Sequence, residues 1–293
     1  MHFEPGDFVK DGLTHFGFRD ARGRLFGIDH VHHFAALVRE GGRVEWTIAS
    51  ARVFDGVPNI AAPLNFPMYV DVLPDGSPIV SNFGTAQLFR IDLHRMRAEV
   101  LVDGEAIGME DMGNCAVDRD GLIWVNEVRG SRVWCFDPAG RPVRTIDGFG
   151  WIYDLRIAPD GEVFVLDSGN FALRAVDPDT YAVRTVAEGF ASDPTARFDG
   201  PISLALDERG KAYVGDRFAH VVREIDLATG AMTAIAGRPV VDDARANPST
   251  ERDPTRLNLP QISSMDYARG RLFVPTDLDG DRGDLAVLRR TLG

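Results

Sequence analysis

The stretch Gly200–Gly237, GPISLALDERGKAYVGDRFAHVVREIDLATGAMTAIAG, decides the fold. It holds four short runs of β-forming residues, PISLALD, KAYVGD, HVVREID and AMTAIAG, separated by turns rich in Gly and Asp. Short runs punctuated in this way predict an antiparallel meander of four strands. One meander cannot bury both of its faces alone, so related units are expected elsewhere in the chain.

Five further units align with this one on the glycine that closes the turn after the first strand. These turn glycines are Gly23, Gly76, Gly121, Gly161, Gly210 and Gly270. Their spacing of 40 to 60 residues is that of a propeller blade. The chain of 293 residues is therefore predicted to be all-β, a six-bladed β-propeller of four-stranded antiparallel blades.

The two chain ends suggest how the ring closes. The last unit offers only three strands, QISSMDY, RLFVPTD and DLAVLRRTL, before the sequence stops. A spare strand lies at roughly residues 2–10, ahead of a first full blade that begins near Leu13. We expect this N-terminal strand to complete the last blade and protect its edge. No linker divides the chain, so residues 1–293 are predicted to form a single domain.

Composition bounds the possible partners. Hydrophobic residues make up 44% of the chain, and no apolar run is long enough for a spanning helix, so a membrane partner is not expected. The net charge of −12 argues against nucleic acid, which requires a positive surface. The N-terminus carries no export signal, which predicts a cytoplasmic protein. Cys115 and Cys135, on strands one and three of one blade, are expected to be reduced core thiols.

Several units resemble NHL repeats. The resemblance is carried by SGNFALRAVDPDTYAVRTVAEG (168–189), RFAHVVREIDLATGAMTAIAG (217–237) and RLNLPQ (256–261). The larger group of six-bladed relatives includes the SMP-30/gluconolactonase enzymes and the strictosidine-synthase-like proteins. The resemblance implies the architecture but not the function, since NHL-type propellers include lyases, hydrolase relatives and pure binding modules.

The innermost strands carry unexpected charges. Period-two alternation directs polar residues of these strands towards the axis, and Asp71, Asp154 and Arg156 stand where burial is expected. In SMP-30-type enzymes Asn and Asp side chains at this level hold a divalent cation, so the resemblance implies a Ca, Mg or Zn site at Asn114 and Asp154. The alternative is a hydrogen-bonded ring that fills the channel together with water.

Residues before the inner-strand prolines differ from those of one relative. Peptidyl-hydroxyglycine lyase relatives carry His there, whereas this chain has Phe66, Gly200 and Leu259, so that zinc site is not expected.

A second set of polar residues ends the second strands. The residues at this position are Asp29, Asn82, Glu127, Asp167 and Asp216, with Thr276 or Asp277 in the last unit, and most are expected to accept N–H bonds from the next turn. Glu127 has a longer side chain and is the predicted general acid or base of the set.

The first of these turns is rich in histidine. The segment DHVHHF places His30 and His32 on one side of an extended chain, next to His33, as metal binding or catalysis would require.

Three loops extend the candidate site. GEAIGMEDMGN (Gly104–Asn114) contains Glu110, and GFGWIYD (Gly148–Asp154) contains Trp151 and Tyr153. Aromatic residues beside carboxylates could form the wall of a ligand cleft or could merely wedge adjacent blades apart. The polar insert 238–250 is either a lid or a surface loop.

No nucleophile or nucleotide motif of the GxSxG, Walker, CxxC or HExxH kind is present. The sequence therefore predicts an enzyme of lyase, hydrolase or isomerase type that acts on a small molecule by acid–base chemistry. The predicted proton carriers are Glu127, Asp154, His30 and His32. The residues predicted to position the substrate are Tyr69, Asn114, Arg156, Arg129, Arg217, Trp151, Tyr153 and Glu110. The alternative is a non-catalytic propeller that binds a ligand or a protein.

Overall fold

A computed structural model describes residues 25–30, 32–38, 44–189, 200–217, 219–238, 253–257, 259, 262, 265–268, 270–277 and 283–289. The chain divides into two compact units, Met1–Ile152 and Tyr153–Gly293. The spare N-terminal strand, the first inner strand and most of the polar insert after Arg238 lie outside the described residues. Closure of the ring and the single domain therefore stay predictions.

The described strands of the first unit form three sheets of four strands each. They are β1 (Leu25–Asp29), β2 (Phe34–Val38), β3 (Val44–Ala49), β4 (Asn59–Ala61), β5 (Pro67–Val72), β6 (Pro78–Asn82), β7 (Gln87–Asp92), β8 (Arg97–Asp103), β9 (Cys115–Val117), β10 (Ile123–Asn126), β11 (Val133–Phe136) and β12 (Pro142–Ile146). Short 3-10 turns span Phe83–Thr85 and Glu105–Ile107.

The remaining described strands form two sheets of four strands and one of three. They are β13 (Ile152–Ile157), β14 (Val163–Asp167), β15 (Ala172–Val176), β16 (Val183–Glu188), β17 (Pro201–Leu206), β18 (Lys211–Asp216), β19 (Val221–Asp226), β20 (Met232–Gly237), β21 (Asp266–Ala268), β22 (Arg271–Asp277) and β23 (Gly283–Arg289). Short 3-10 turns span Ser168–Asn170 and Pro254–Arg256.

The prediction of an all-β chain with six sheets is confirmed. Second strands end at Asp29, Asn82, Asn126, Asp167, Asp216 and Asp277, within one residue of the predicted positions. Among the strand pairings that the structure describes with their register, one is parallel and the others are antiparallel. The three-residue strand β4 pairs parallel with β3, and Asn59 fastens it by accepting a 2.8 Å hydrogen bond from the Thr47 hydroxyl. The sequence did not predict β4, because so short a run carries no periodicity.

The core of the described part of each unit lies between successive sheets. In the first unit Phe26 and Trp46 pack with Val80 and Phe89 of the next sheet. In the second unit Leu166 of β14 packs with Val214 of β18. Second strands such as β10 and β14 are buried along their whole length, whereas the fourth strand β12 is mostly exposed. Burial of apolar area between successive sheets, worth about 25 cal/mol per Å², thus stabilises the packing of one sheet on the next.

The turns between second and third strands share one backbone feature. The residue just before or near the start of the third strand adopts a left-handed conformation, with φ between 49° and 59°. The residues concerned are His33, Ala86, Ser131, Phe171 and His220. The recurrence indicates that the left-handed residue belongs to the turn itself, and it sets the direction in which each turn presents its side chains.

Neither cysteine is in a disulfide and both are buried, Cys115 on β9 and Cys135 on β11, with β10 between them. Burial raises the pKa of the Cys135 thiol to about 12. Within the described ranges, no helix has the length and apolar character needed to cross a membrane.

Candidate functional site

The polar residues that end the second strands are fully buried and tied to their turns. The Asn82 side chain accepts a 2.7 Å bond from the Asn65 N–H. Asp167 accepts a 3.1 Å bond from Arg174 Nε, and Asp216 is paired with Arg223 Nη2 at 3.3 Å. Two members of the set accept an N–H of the following turn as predicted, since Asp29 Oδ1 accepts the His32 N–H at 2.7 Å and Asp216 Oδ1 accepts the Ala219 N–H at 3.1 Å.

Glu127 is buried and lies at the centre of a bidentate ion pair. Its Oε2 accepts from Arg132 Nε at 2.6 Å, and its Oε1 accepts from Arg132 Nη2 at 2.9 Å. The Oε1 atom also accepts the Glu110 N–H at 3.1 Å. The hydrogen bond to Glu127 raises the pKa of Arg132 above its ordinary value. A carboxylate held in this way fits a structural role better than proton transfer, because both oxygens are occupied.

Asp154 and Arg156 are neighbours on β13. Asp154 Oδ1 accepts the Leu155 N–H and lies 3.1 Å from Arg156 Nη1, while its Oδ2 accepts the Leu204 N–H at 2.8 Å. A carboxylate that faces an arginine and two amides is poorly suited to hold a cation. Asn114, its predicted metal partner, belongs to the other unit, where its backbone N–H donates to Asn126 Oδ1.

The histidine turn after β1 contains a carboxylate–imidazole pair. Asp29 is fully buried, and its Oδ2 lies 2.9 Å from Nδ1 of His32, whose side chain is 59% exposed. The other oxygen of Asp29 accepts the His32 N–H at 2.7 Å, which fixes the backbone of the turn. An ionised Asp29 keeps the proton of a neutral His32 on Nδ1, so Nε2 carries the lone pair.

The neighbouring His33 has the opposite tautomer. Its Nδ1 accepts the Phe66 N–H at 2.9 Å, so the proton of the neutral ring lies on Nε2. The same turn thus presents a base, His32 Nε2, and a hydrogen-bond donor, His33 Nε2–H, on two exposed imidazoles.

Beside this turn lies a group that we call the aromatic row, defined by His30, Phe66, Phe83 and Arg129. The ring centroids of His30 and Phe66 are 4.6 Å apart, and those of Phe66 and Phe83 are 5.8 Å apart. The guanidinium carbon of Arg129 lies 5.2 Å from the centroid of Phe83. The row therefore runs from the histidine turn, past the 3-10 turn after β6, to the turn after β10.

Phe66 holds an uncommon backbone conformation at the middle of the row. Its φ is 58°, where a side chain costs about 1–3 kcal/mol. The equivalent position before the inner-strand proline of β17 is Gly200, with φ 111°. The Phe66 N–H donates to His33, and its carbonyl accepts the Phe83 N–H at 3.1 Å, so the ring is held between two turns.

Asp111 is a site residue to which sequence reasoning assigned no role. It is fully buried, its Oδ1 accepts the Val128 N–H at 2.6 Å, and its Oδ2 accepts the Arg129 N–H at 3.1 Å and Nε at 2.9 Å. Asp111 therefore orients Arg129 over Phe83. Its partners lie 17 and 18 residues away, so no local pattern could have revealed them.

The remaining predicted residues are placed separately. Trp151 is 60% exposed, and the following Ile152 N–H donates to the Val128 carbonyl, so this segment runs beside the Arg129 turn. The Glu110 side chain is exposed, and the Tyr69 N–H bonds the Ser81 hydroxyl at 3.0 Å. In the second unit, Tyr153 is 36% exposed.

Arg217 occupies in the fifth sheet the place that Phe83 has in the second. Its N–H donates to the Gly200 carbonyl at 2.9 Å, as the Phe83 N–H donates to Phe66. Among the described residues, no group of three or more His, Cys, Asp or Glu side chains is arranged to hold a metal ion.

Solved structures share this architecture. A virginiamycin B lyase from Staphylococcus aureus superposes with a TM-score of 0.64 and 9% identity over 96% of this chain and 86% of its own. A gluconolactonase from Xanthomonas campestris has a TM-score of 0.61 and 19% identity over 94% of this chain and 85% of its own. An auxiliary nutrient binding protein from Bacteroides thetaiotaomicron has a TM-score of 0.66 and 13% identity over 94% of this chain and 69% of its own. These likenesses, together with the six sheets, show a β-propeller fold.

Sequence comparison is less informative. No protein-family model matches the chain, so the NHL assignment stays a prediction. The Arabidopsis thaliana protein SUPPRESSOR OF QUENCHING 1, chloroplastic, is 28% identical over 130 residues. The match spans 42% of this chain and only 12% of that curated relative.

Proposed function

We propose that this chain is a small-molecule enzyme of lyase, hydrolase or isomerase type whose acid–base group is His32, held by Asp29. The observation that carries the proposal is the 2.9 Å contact between a fully buried carboxylate and the Nδ1 of an exposed imidazole. Buried carboxylates orient catalytic imidazoles in this way and stabilise the imidazolium that forms when Nε2 takes a proton. The lyase and gluconolactonase among the structural neighbours support an enzymatic use of the fold.

The proton balance is simple. His32 Nε2 takes a proton from the substrate or from a water, and the positive charge that results is stabilised by Asp29. His33 Nε2–H is a neutral donor in the same turn and can stabilise an oxygen on which negative charge develops. The same His32 returns the proton to the leaving group or to the product.

Glu127 and Asp154, which the sequence predicted to carry protons, have a structural role in this proposal. Both carboxylates already hold backbone N–H groups and arginines, so we assign them to maintaining the turns and sheets rather than to proton transfer. The divalent cation, the cytoplasmic location and the absence of nucleic-acid and membrane partners stay predictions.

The test is turnover of a panel of lactones, aryl esters and β-elimination substrates by the wild type, His32→Gln and His94→Gln. His94 is a matched control, since it is also exposed in an aspartate-led turn, with its N–H bonded to Asp92 Oδ1. We expect turnover of at least one class, a kcat lowered by about 10²–10⁴-fold in His32→Gln, and no change in His94→Gln. Full kcat in His32→Gln, or no turnover of any class, would favour the alternative of a non-catalytic binding propeller.

A further inference from the structure

The aromatic row of the first unit has the composition of a ligand site rather than of a core. Phe66 is 38% exposed and Arg129 is 63% exposed, although the backbone of Phe66 and the guanidinium of Arg129 are both held by hydrogen bonds. Large rings left in contact with water on an otherwise well-packed sheet end indicate a surface that something covers.

Arg129 is prepared for an anion. Its Nε is taken by Asp111 and its plane lies over Phe83, so the orientation of the guanidinium is set before any ligand arrives. Within the described part of the chain, its two Nη groups make no hydrogen bond. Two parallel N–H donors on a fixed plane match the two oxygens of a carboxylate.

The rings beside Arg129 favour a flat apolar body. Phe66 and Phe83 offer ring surfaces whose centroids are 5.8 Å apart and tilted by 57°, which suits edge or offset contact with a third ring. The left-handed backbone at Phe66 supports the same conclusion, because glycine serves at the equivalent position of β17. A phenylalanine at a strained position, where glycine would cost less, indicates that its ring has a use.

We propose that the aromatic row binds a planar, π-bearing carboxylate, with the ring of the ligand against Phe66 and Phe83 and its carboxylate on the Nη edge of Arg129. The Phe66 N–H joins the row to His33, next to the proposed base, so the inference names the substrate class of the proposed enzyme. The inference that this ligand is a substrate rests on the proposed function, whereas the inference that the aromatic row binds it does not.

The experiment is an equilibrium titration with benzoate, followed by ligand-observed NMR and by tryptophan emission, in which Trp151 is the exposed ring that a ligand can reach while Trp46, Trp124 and Trp134 are buried. Benzyl alcohol is the neutral probe of matched shape, and cyclohexanecarboxylate is the non-planar probe of matched charge. We expect benzoate to bind about tenfold more tightly than either, and higher ionic strength to weaken its binding.

The decisive variants are Arg129→Gln and Arg141→Gln. Arg141 is the matched control, because its Nε also donates to an aspartate, Asp137, at 2.7 Å on an exposed turn that lacks a ring stack. We expect Arg129→Gln to remove the preference for benzoate over benzyl alcohol while Arg141→Gln keeps it, with both variants showing the wild-type circular dichroism.

Three results would overturn the inference. They are equal binding of benzoate and benzyl alcohol, an unchanged preference in Arg129→Gln, and no detectable benzoate binding to the wild type. His32→Gln separates this proposal from the proposed function. Benzoate binding that persists in this variant while turnover is lost supports both proposals. Benzoate binding without any turnover by the wild type would support the binding site at the aromatic row and contradict the proposed enzymatic function.

Discussion

The Oδ2 atom of Asp71 accepts a 2.7 Å hydrogen bond from the backbone N–H of Val117, 46 residues further along the chain. Its Oδ1 accepts the N–H of the adjacent Val72 at 2.6 Å. One carboxylate thus connects the inner strands of two successive sheets, β5 and β9. Asp154 repeats this arrangement in the second unit, with Leu155 and Leu204 as its donors. Asp71 and Asp154, which stand at inner-strand positions where burial is expected, therefore connect neighbouring sheets.

Asp71→Asn is expected to destabilise the fold. An amide keeps one acceptor oxygen but turns an NH₂ group towards a backbone N–H, so one of the two hydrogen bonds is lost. We expect the free energy of unfolding to fall by about 2 kcal/mol, as measured by denaturant titration. Asp120→Asn, at a turn position whose side chain is 76% exposed, is the control and should change stability by no more than about 0.5 kcal/mol. Equal effects of the two substitutions would contradict the connecting role.

Arg132→Met is expected to leave Glu127 charged and buried without its partner. The unfolding free energy should drop by about 3 kcal/mol, and the double variant Glu127→Gln/Arg132→Met should recover part of that loss. The exposed pair of Arg95 with Asp92, at 3.6 Å, provides the control Arg95→Met, for which we expect a change within about 0.5 kcal/mol. A double variant no more stable than Arg132→Met would show that the pair is not the source of the effect.

Acid sensitivity should arise from the turns after the third strands. The Lys211 hydrogen bond, with help from Thr229, holds the pKa of Asp226 well below its ordinary value of 3.8, and hydrogen bonds from turn N–H groups lower the pKa values of Asp92, Asp137 and Asp177. A lowered folded-state pKa stabilises the protein fully above the unfolded value. That contribution is lost as the pH falls through the folded value.

The Asp226→Asn variant tests this relation. We expect its melting temperature to lie below that of the wild type near neutral pH. The gap should stay constant down to about pH 5 and shrink as the pH falls below 3.8, where the unfolded carboxylate takes up its proton. Asp179→Asn, at an exposed position in the corresponding turn between β15 and β16, is the control for loss of an exposed charge. A gap independent of pH would refute the proposed linkage.

The cysteines should be inert in the folded protein. Burial raises the pKa of Cys135 to about 12, and Cys115 is equally inaccessible, so almost no thiolate is available near neutral pH. We expect no reaction with DTNB under native conditions and reaction of both thiols in guanidinium chloride. Rapid native labelling would show that β9 to β11 open locally.

Local turn signals could be interpreted from the sequence, whereas contacts between residues far apart in the chain could not. The turn glycines that the structure describes, from Gly76 to Gly270, and the residues that end the second strands were located to within one residue, since each is a local turn signal repeated at blade spacing. The sequence singled out Glu127 and Asp154 as candidate proton carriers, but their arginine and backbone partners could not be inferred from it. The contacts of Asp111 and Phe83 with Arg129 could not be inferred either, because each owes its role to a turn from another hairpin.

The sequence by itself determined the number and order of the sheets and their turns, together with the burial of the second strands. Those features depend on neighbours along the chain and on an apolar pattern repeated in every unit. Only the tertiary structure decided which carboxylates are occupied, as Glu127 is by Arg132, and which histidine has a buried carboxylate beside it, as His32 has Asp29. It also brought Phe66, Phe83 and Arg129 together, because contacts between hairpins depend on how successive sheets pack, and that packing leaves no period in the sequence.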